Sequence, residues 1–270
     1  MKKLLLSISI ALSLLGCKNE TDPAPETEKL CRIVSIDPTY AFQYNAQNQL
    51  TTITVKTSNT SSYQIDLKYD AKGRLVRETA REELWENSYN AQDQLIQQTL
   101  YSTVSPGVDP IVYLHSYNSA GQRTQTISHL SKEPNKRLSL STYSYTNGVL
   151  SSIVKNTYAY GGFDGSVPDS WRETKDTYTY VFDGKKNPLP SLPIMTFENY
   201  FANGYDEKQT PILFSGNVIR FTFKRESPNG GGSTNYTATY KYNEQGYPIE
   251  SMKTQDGWVK TQAFYSYNCE

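Results

Sequence analysis

Histidine and cysteine are scarce in this chain, at two and three of 270 residues. His115 and His129 have no neighbouring Cys, no Ser-bearing elbow and no second ligand at metal-binding spacing. That removes the commonest acid–base side chain and the usual metal frames, so both read as structural or surface histidines. A Gly-rich phosphate loop is missing too, because Gly230-Gly231-Gly232 follows Pro228-Asn229 and reads as a hairpin end. Charge of one sign is absent: 27 basic residues stand against 27 acidic ones. The strings Lys132 to Arg137 and Lys185-Lys186 are short and interrupted, which excludes the concentrated basic surface that nucleic acid requires. Acid pairs such as Glu82/Glu83 serve a glycosidase only if space sets them across a cleft, which sequence does not supply. The expectation is a protein that is not an enzyme, without cofactor, metal or nucleic-acid partner.

Long hydrophobic runs are limited to one. Met1-Lys2-Lys3 followed by Leu4 to Leu15 is a charged start and an apolar core too short for a permanent membrane helix. It ends in Leu14-Leu15-Gly16-Cys17, which resembles a bacterial lipobox. That resemblance implies a lipoprotein signal peptide over 1–16 and acylation of Cys17; an ordinary cleaved secretory signal is the alternative. Residues 17–29 are polar and Pro-bearing, a flexible tether that reaches on the order of 20 Å. Loss of residues 1–16 removes Lys2 and Lys3, leaving 25 basic against 27 acidic residues. Lys18-Asn19-Glu20 favours the cell surface slightly over the periplasmic face of the outer membrane. With Cys17 acylated, Cys31 and Cys269 remain in an oxidising compartment, which suggests a disulfide; two buried thiols are the alternative.

What is abundant is a recurring turn. Tyr44-Asn45-Ala46-Gln47-Asn48-Gln49-Leu50 returns as Tyr69-Asp70-Ala71-Lys72-Gly73-Arg74-Leu75, Tyr89-Asn90-Ala91-Gln92-Asp93-Gln94-Leu95 and Tyr117-Asn118-Ser119-Ala120-Gly121-Gln122-Arg123. Reduced copies follow at Tyr145, Phe182 and Tyr242. Asn or Asp opens the turn by bonding backbone two residues ahead. Its fourth position (Asn48, Gly73, Asp93, Gly121 and Gly246) carries the residues that tolerate left-handed backbone, as a hairpin loop built on a type I turn requires. Alternating Tyr and Thr or Ser on both sides reads as strand. The fold class is all-β: one domain over 30–270, a long antiparallel meander of β-hairpins forming a twisted sheet or an open barrel or half-shell.

The segment Tyr69 to Leu75 resembles the core of a YD repeat of the RHS type, and the whole chain is similar to small YD-repeat lipoproteins of Gram-negative bacteria. That class is of unknown function. In large RHS proteins such repeats wind into a shell around a toxin; this chain has too few copies for a shell and no cargo segment.

The repeat breaks over 183–217. Pro188, Pro190 and Pro193 exclude a central strand over 183–193, and Ile194, Phe197 and Phe201 at helical spacing, with Gly204 as a stop, predict a short helix-bearing insertion. It covers a sheet face or edge, or it rims a ligand groove with Phe197, Tyr200, Phe201 and Tyr205. The 22 Tyr build the core through cross-strand pairs with wet hydroxyls, while Trp85, Trp171 and Trp258 lie among polar neighbours as candidate surface anchors. The leading functional expectation is a membrane-anchored, non-catalytic binding or scaffold module for a protein or glycan. The alternatives are a periplasmic envelope-assembly or lipid-handling factor and, last, a polysaccharide-acting enzyme.

Overall fold

The computed structural model describes residues 31–58, 60–158, 173–186, 216–228 and 230–269. Antiparallel strands follow one another in chain order: β1 (Cys31–Asp37), β2 (Tyr40–Tyr44), β3 (Leu50–Lys56), β4 (Ser62–Tyr69), β5 (Leu75–Ala80), β6 (Glu83–Tyr89), β7 (Leu95–Ser102) and β8 (Ile111–Tyr117). The second half continues with β9 (Arg123–Leu130), β10 (Glu133–Thr146), β11 (Val149–Tyr158), β12 (Glu173–Phe182), β13 (Val218–Glu226), β14 (Gly232–Tyr242), β15 (Pro248–Gln255) and β16 (Trp258–Cys269). Each strand pairs with its sequence neighbours, and β16 pairs with β1, so the sheet closes into a barrel. The meander is as expected, and its curl goes beyond a half-shell to full closure, which leaves no unpaired edge among the described strands.

The seam is fastened covalently. Cys31 and Cys269 stand opposite each other in the β1–β16 ladder and form a disulfide, with an S–S distance of 2.01 Å across 238 positions of sequence. The predicted helix at 194–204, the signal peptide, Cys17 and the tether all lie outside the described residues, and no helix occurs among the described ones.

Period-two alternation sends one set of side chains inward. Over β16 and β1 to β5 the interior is aliphatic, and Ile33, Ile36, Ile53 and Ile65 are at most 1% exposed. Over β10 to β14 it is aromatic, with Tyr143, Tyr178, Tyr180, Phe221 and Tyr236 buried together. The opposite set makes a polar outer wall. Gln64, Asp66 and Lys68 on β4, and Asn235, Thr237 and Thr239 on β14, are all exposed. Ion pairs Arg77–Glu86 and Lys241–Glu250, each at 2.7 Å, lie across neighbouring strands of this wall. Exposed apolar residues such as Leu114, Met252 and Phe264 are scattered among them.

A meander has two rims. The recurring turns join β2 to β3, β4 to β5, β6 to β7, β8 to β9, β10 to β11 and β14 to β15, all at one rim. Cys31 and Cys269 belong to that same rim, because β1 runs away from it and β16 returns to it. The opposite rim holds the tips at 57–61, 81–82, 103–110, 131–132 and 256–257.

Candidate functional site

The recurring turn is a hydrogen-bonded unit. In the second copy the Asp70 carboxylate accepts from the backbone N–H of Lys72 and of Arg74, both at 2.9 Å, and Gly73 N–H donates to the Asp70 carbonyl. Asn45, Asn90 and Asn118 repeat both side-chain contacts. The fourth position is left-handed at all five of these turns, with φ of 63° at Asn48, 80° at Gly73, 58° at Asp93, 75° at Gly121 and 81° at Gly246. The first and fifth side chains also pair by kind. Asp70 takes Arg74 as an ion pair at 2.6 Å, whereas Asn45, Asn90 and Asn118 each donate to the Gln four residues on. Acid goes with base and amide with amide, so the Asn-for-Asp and Gln-for-Arg changes compensate each other.

The tyrosine before each turn ties one copy to the previous one. Tyr69 Oη donates to the Leu50 carbonyl at 2.7 Å, Tyr89 to Leu75 at 2.7 Å, Tyr117 to Leu95 at 2.8 Å and Tyr145 to Arg123 at 2.9 Å. Tyr44 does the same with Ile33, and the strand tyrosines Tyr240 and Tyr267 donate to the Val218 and Pro248 carbonyls. This corrects the expectation of wet hydroxyls: the phenols are spent on backbone carbonyls, and burial pushes Tyr44, Tyr69 and Tyr89 up to about 12. Tyr117→Phe should therefore cost about 1 kcal/mol, the usual net worth of one such bond. A lower urea midpoint at unchanged slope checks it.

Between the turns of β6–β7, β8–β9 and β10–β11 the rim opens into a cleft of about 440 Å³. Its walls are the rings of Tyr89, Tyr117 and Tyr145 with Leu95 and Leu150, and Tyr143 lines it from one residue pair further along β10. Arg123 joins them from the first position of β9, 8% exposed, where the other copies carry Leu50, Leu75 and Leu95. Its guanidinium lies 5.7 Å from the Tyr117 ring centre and 6.0 Å from that of Tyr143, within cation–π range, and donates to Tyr117 Oη at 3.2 Å.

Behind the cleft runs a chain of hydrogen bonds across five strands, buried from Gln98 to Tyr143. Gln98 Nε2 donates to Asn87 Oδ1 at 3.0 Å, Gln98 Oε1 lies 3.2 Å from His115 Nε2, His115 Nδ1 lies 2.9 Å from Thr126 Oγ1, and Thr126 Oγ1 lies 3.0 Å from Tyr143 Oη. Burial, aided by the Arg123 charge, pushes the His115 imidazole down to about 2, so it stays neutral. Further round the interior, Arg225 grips the buried Asp176 carboxylate with two bonds of 2.7 Å. His129 Nδ1 lies 2.8 Å from the Leu130 carbonyl.

Of the sequence-predicted anchors, Trp85 and Trp258 lie among the described residues, one inside the barrel and one at a rim. Trp85 is a correction: it is 3% exposed, points inward and stacks on Tyr113 at 5.5 Å between ring centres. Its polar neighbours Glu83 and Asn87 share the inward face with it, because this sector of the interior carries polar side chains as well. Trp258 is 77% exposed at the start of β16, beside Val259 at 64%, on the rim away from the turns. Trp171, Phe197, Tyr200, Phe201 and Tyr205 lie outside the described residues. The cleft itself was missed. Arg123 standing where the repeat has Leu was the visible sign of it.

No family model and no curated protein matches this chain. Among solved structures it is similar to a porin-like protein from Bacteroides uniformis, at 14% identity and a TM-score of 0.48, over 90% of this chain and 95% of that one. It is also similar to part of the Tc holotoxin pore of Photorhabdus luminescens, at 15% identity and a TM-score of 0.34, over 79% of this chain and 11% of that one. A TcdB2-TccC3 structure shows similarity at 13% identity and a TM-score of 0.21, over 79% of this chain and 15% of that one.

Proposed function

We propose that the protein is a lipid-anchored barrel of the cell envelope that acts as a non-catalytic binding module, held by Cys17 and offering the rim opposite its tether to a protein or glycan. The observation that carries this reading is where the described chain starts. Cys31 lies on the turn rim, so a tether over 17–29 leaves from that side. Trp258 and Val259 then face away from the membrane.

The polar outer wall supports a barrel standing in water. Strands in lipid carry an outward apolar band, and here that face holds Asp66, Lys68 and the Arg77–Glu86 and Lys241–Glu250 pairs. A binding role, not catalysis, suits His115, which is locked neutral within its hydrogen bonds.

Two measurements test this. Cys17→Ser should move the protein from the membrane to the soluble fraction, and retention on the membrane would overturn the anchor. Arrays of envelope glycans and surface proteins, probed with the mature chain, should show a ligand that Trp258→Ala binds at least about tenfold more weakly, a loss of roughly 1.4 kcal/mol. Equal binding by the variant would remove this rim as the site.

A further inference from the structure

We propose that the cleft on the turn rim binds the acyl chain of an anionic membrane amphiphile, with its charged head at Arg123. For its direction this rests on the anchored reading above; for its chemistry it rests on the cleft alone.

The cleft is walled by tyrosine rings, yet none of those tyrosines has its hydroxyl at liberty. Tyr89, Tyr117 and Tyr145 donate to the carbonyls of Leu75, Leu95 and Arg123, and the Tyr143 hydroxyl lies against Thr126 Oγ1. The side-chain carbonyls of both glutamines at the mouth, the Gln122 amide and the Asp93 carboxylate are engaged in the same way. Gln94 and Gln122 accept from Asn90 and Asn118, Gln122 also donates to the Gly148 carbonyl, and Asp93 is held by Arg74 at 2.6 Å. A sugar would meet ring faces without the convergent donors and acceptors that recognise its hydroxyls. An alkyl chain asks only for apolar surface, which these rings, Leu95 and Leu150 provide.

Arg123 selects the charge. It replaces the leucine of the sister copies, and it lines the cleft between Leu95 and Leu150, which hold the same position in the copies on either side. It sits at the rim end of β9, at headgroup height for a chain inserted from the mouth. The source of the ligand follows from the tether. The described chain starts at Cys31 on this rim, and a tether over 17–29 would reach on the order of 20 Å, so on the anchored reading the mouth of the cleft faces the bilayer that holds Cys17.

The test uses the mature chain carrying Cys17→Ser, so that no acyl anchor of its own competes. Titration calorimetry would compare laurate, dodecyltrimethylammonium, dodecyl maltoside and maltohexaose. Laurate should bind with one-to-one stoichiometry and at least about tenfold more tightly than the cationic chain. Arg123→Gln should abolish that preference. Ala120→Trp, a bulky side chain on an exposed turn residue lining the mouth, should block laurate while leaving the thermal midpoint unchanged, and it keeps the test open if Arg123→Gln does not fold. Binding of maltohexaose in place of laurate, equal affinity for both charges, no uptake of laurate, or unaltered laurate binding by Ala120→Trp would each overturn the proposal. Trp258→Ala should leave laurate binding untouched, so failure here and failure of the distal-rim reading are separate results.

Discussion

Replacing Cys31 and Cys269 together by serine will lower the free energy of unfolding by up to about 5 kcal/mol. The size follows from the position of the bridge. It joins the ends of the barrel chain across 238 positions, so nearly the whole domain is one closed loop in the oxidised unfolded state. The loop-entropy cost grows slowly with length and is near its practical maximum here. The native barrel should survive the change, because β1 and β16 remain paired at Arg32↔Asn268, Ile33↔Tyr267 and Ile36↔Tyr265 and are packed by Ile33, Ile36 and Tyr265. Urea unfolding followed by circular dichroism, with and without reductant, is the measurement. The expected result is a native spectrum for the variant, a lower midpoint, and loss of the reductant effect that the parent shows. An unchanged midpoint would mean that the bridge does not form.

The same bridge shows what the sequence discloses and what it withholds. Two cysteines near the ends of a β meander, behind a leader that addresses an oxidising compartment, suffice to suggest the pair. They do not say that the sheet closes, since an open half-shell with a long strap satisfies them too. Closure depends on pairing between residues 31–37 and 264–269, and such non-local pairing leaves no periodic trace in either strand. The turns were legible to the residue because the need is local: left-handed backbone at Asn48, Gly73, Asp93, Gly121 and Gly246 is met by Asn, Asp or Gly.

Side-chain direction was legible in period but not in sense. Trp85 and Asn87 share one face of β6 and Glu86 the other, and only the assembled barrel shows that the face bearing Asn87 is the inside. The candidate site suffered from the same limit. Tyr89, Tyr117 and Tyr145 were visible as repeat positions, whereas the spending of their hydroxyls on the neighbouring copy is a contact between residues 14 to 22 apart. Arg123 in a leucine position was the one local irregularity that pointed to the cleft.

Acid will destabilise the barrel through His115 from pH 6.5 downward, well above the range in which carboxylates titrate. In the fold this imidazole is held to about 2, chiefly by burial and then by the Arg123 charge, whereas in the unfolded chain it titrates near 6.5. Between those values the unfolded state binds a proton that the native state refuses, so stability falls as pH falls. The slope is about 1.4 kcal/mol per pH unit, giving roughly 2 kcal/mol between pH 6.5 and 5 and on the order of 5 kcal/mol by pH 3. A pH unit or more above 6.5 His115 is neutral in both states and contributes almost no slope. The groups around it give the proton no counter-charge: Gln98 and Thr126 bond its two nitrogens, and Thr126 is 0% exposed. His115→Gln keeps a polar side chain in the five-strand chain and removes the titration. Unfolding free energies at pH 7, 6, 5 and 4 should therefore fall for the parent and stay level for the variant down to the carboxylate range. A parent curve flat from pH 7 to 5 would show that His115 takes up its proton within the native barrel. Asn87, Gln98, Thr126 and Tyr143 would then have to shift to receive a cation behind the rim cleft, and laurate affinity measured over the same pH range would register that change.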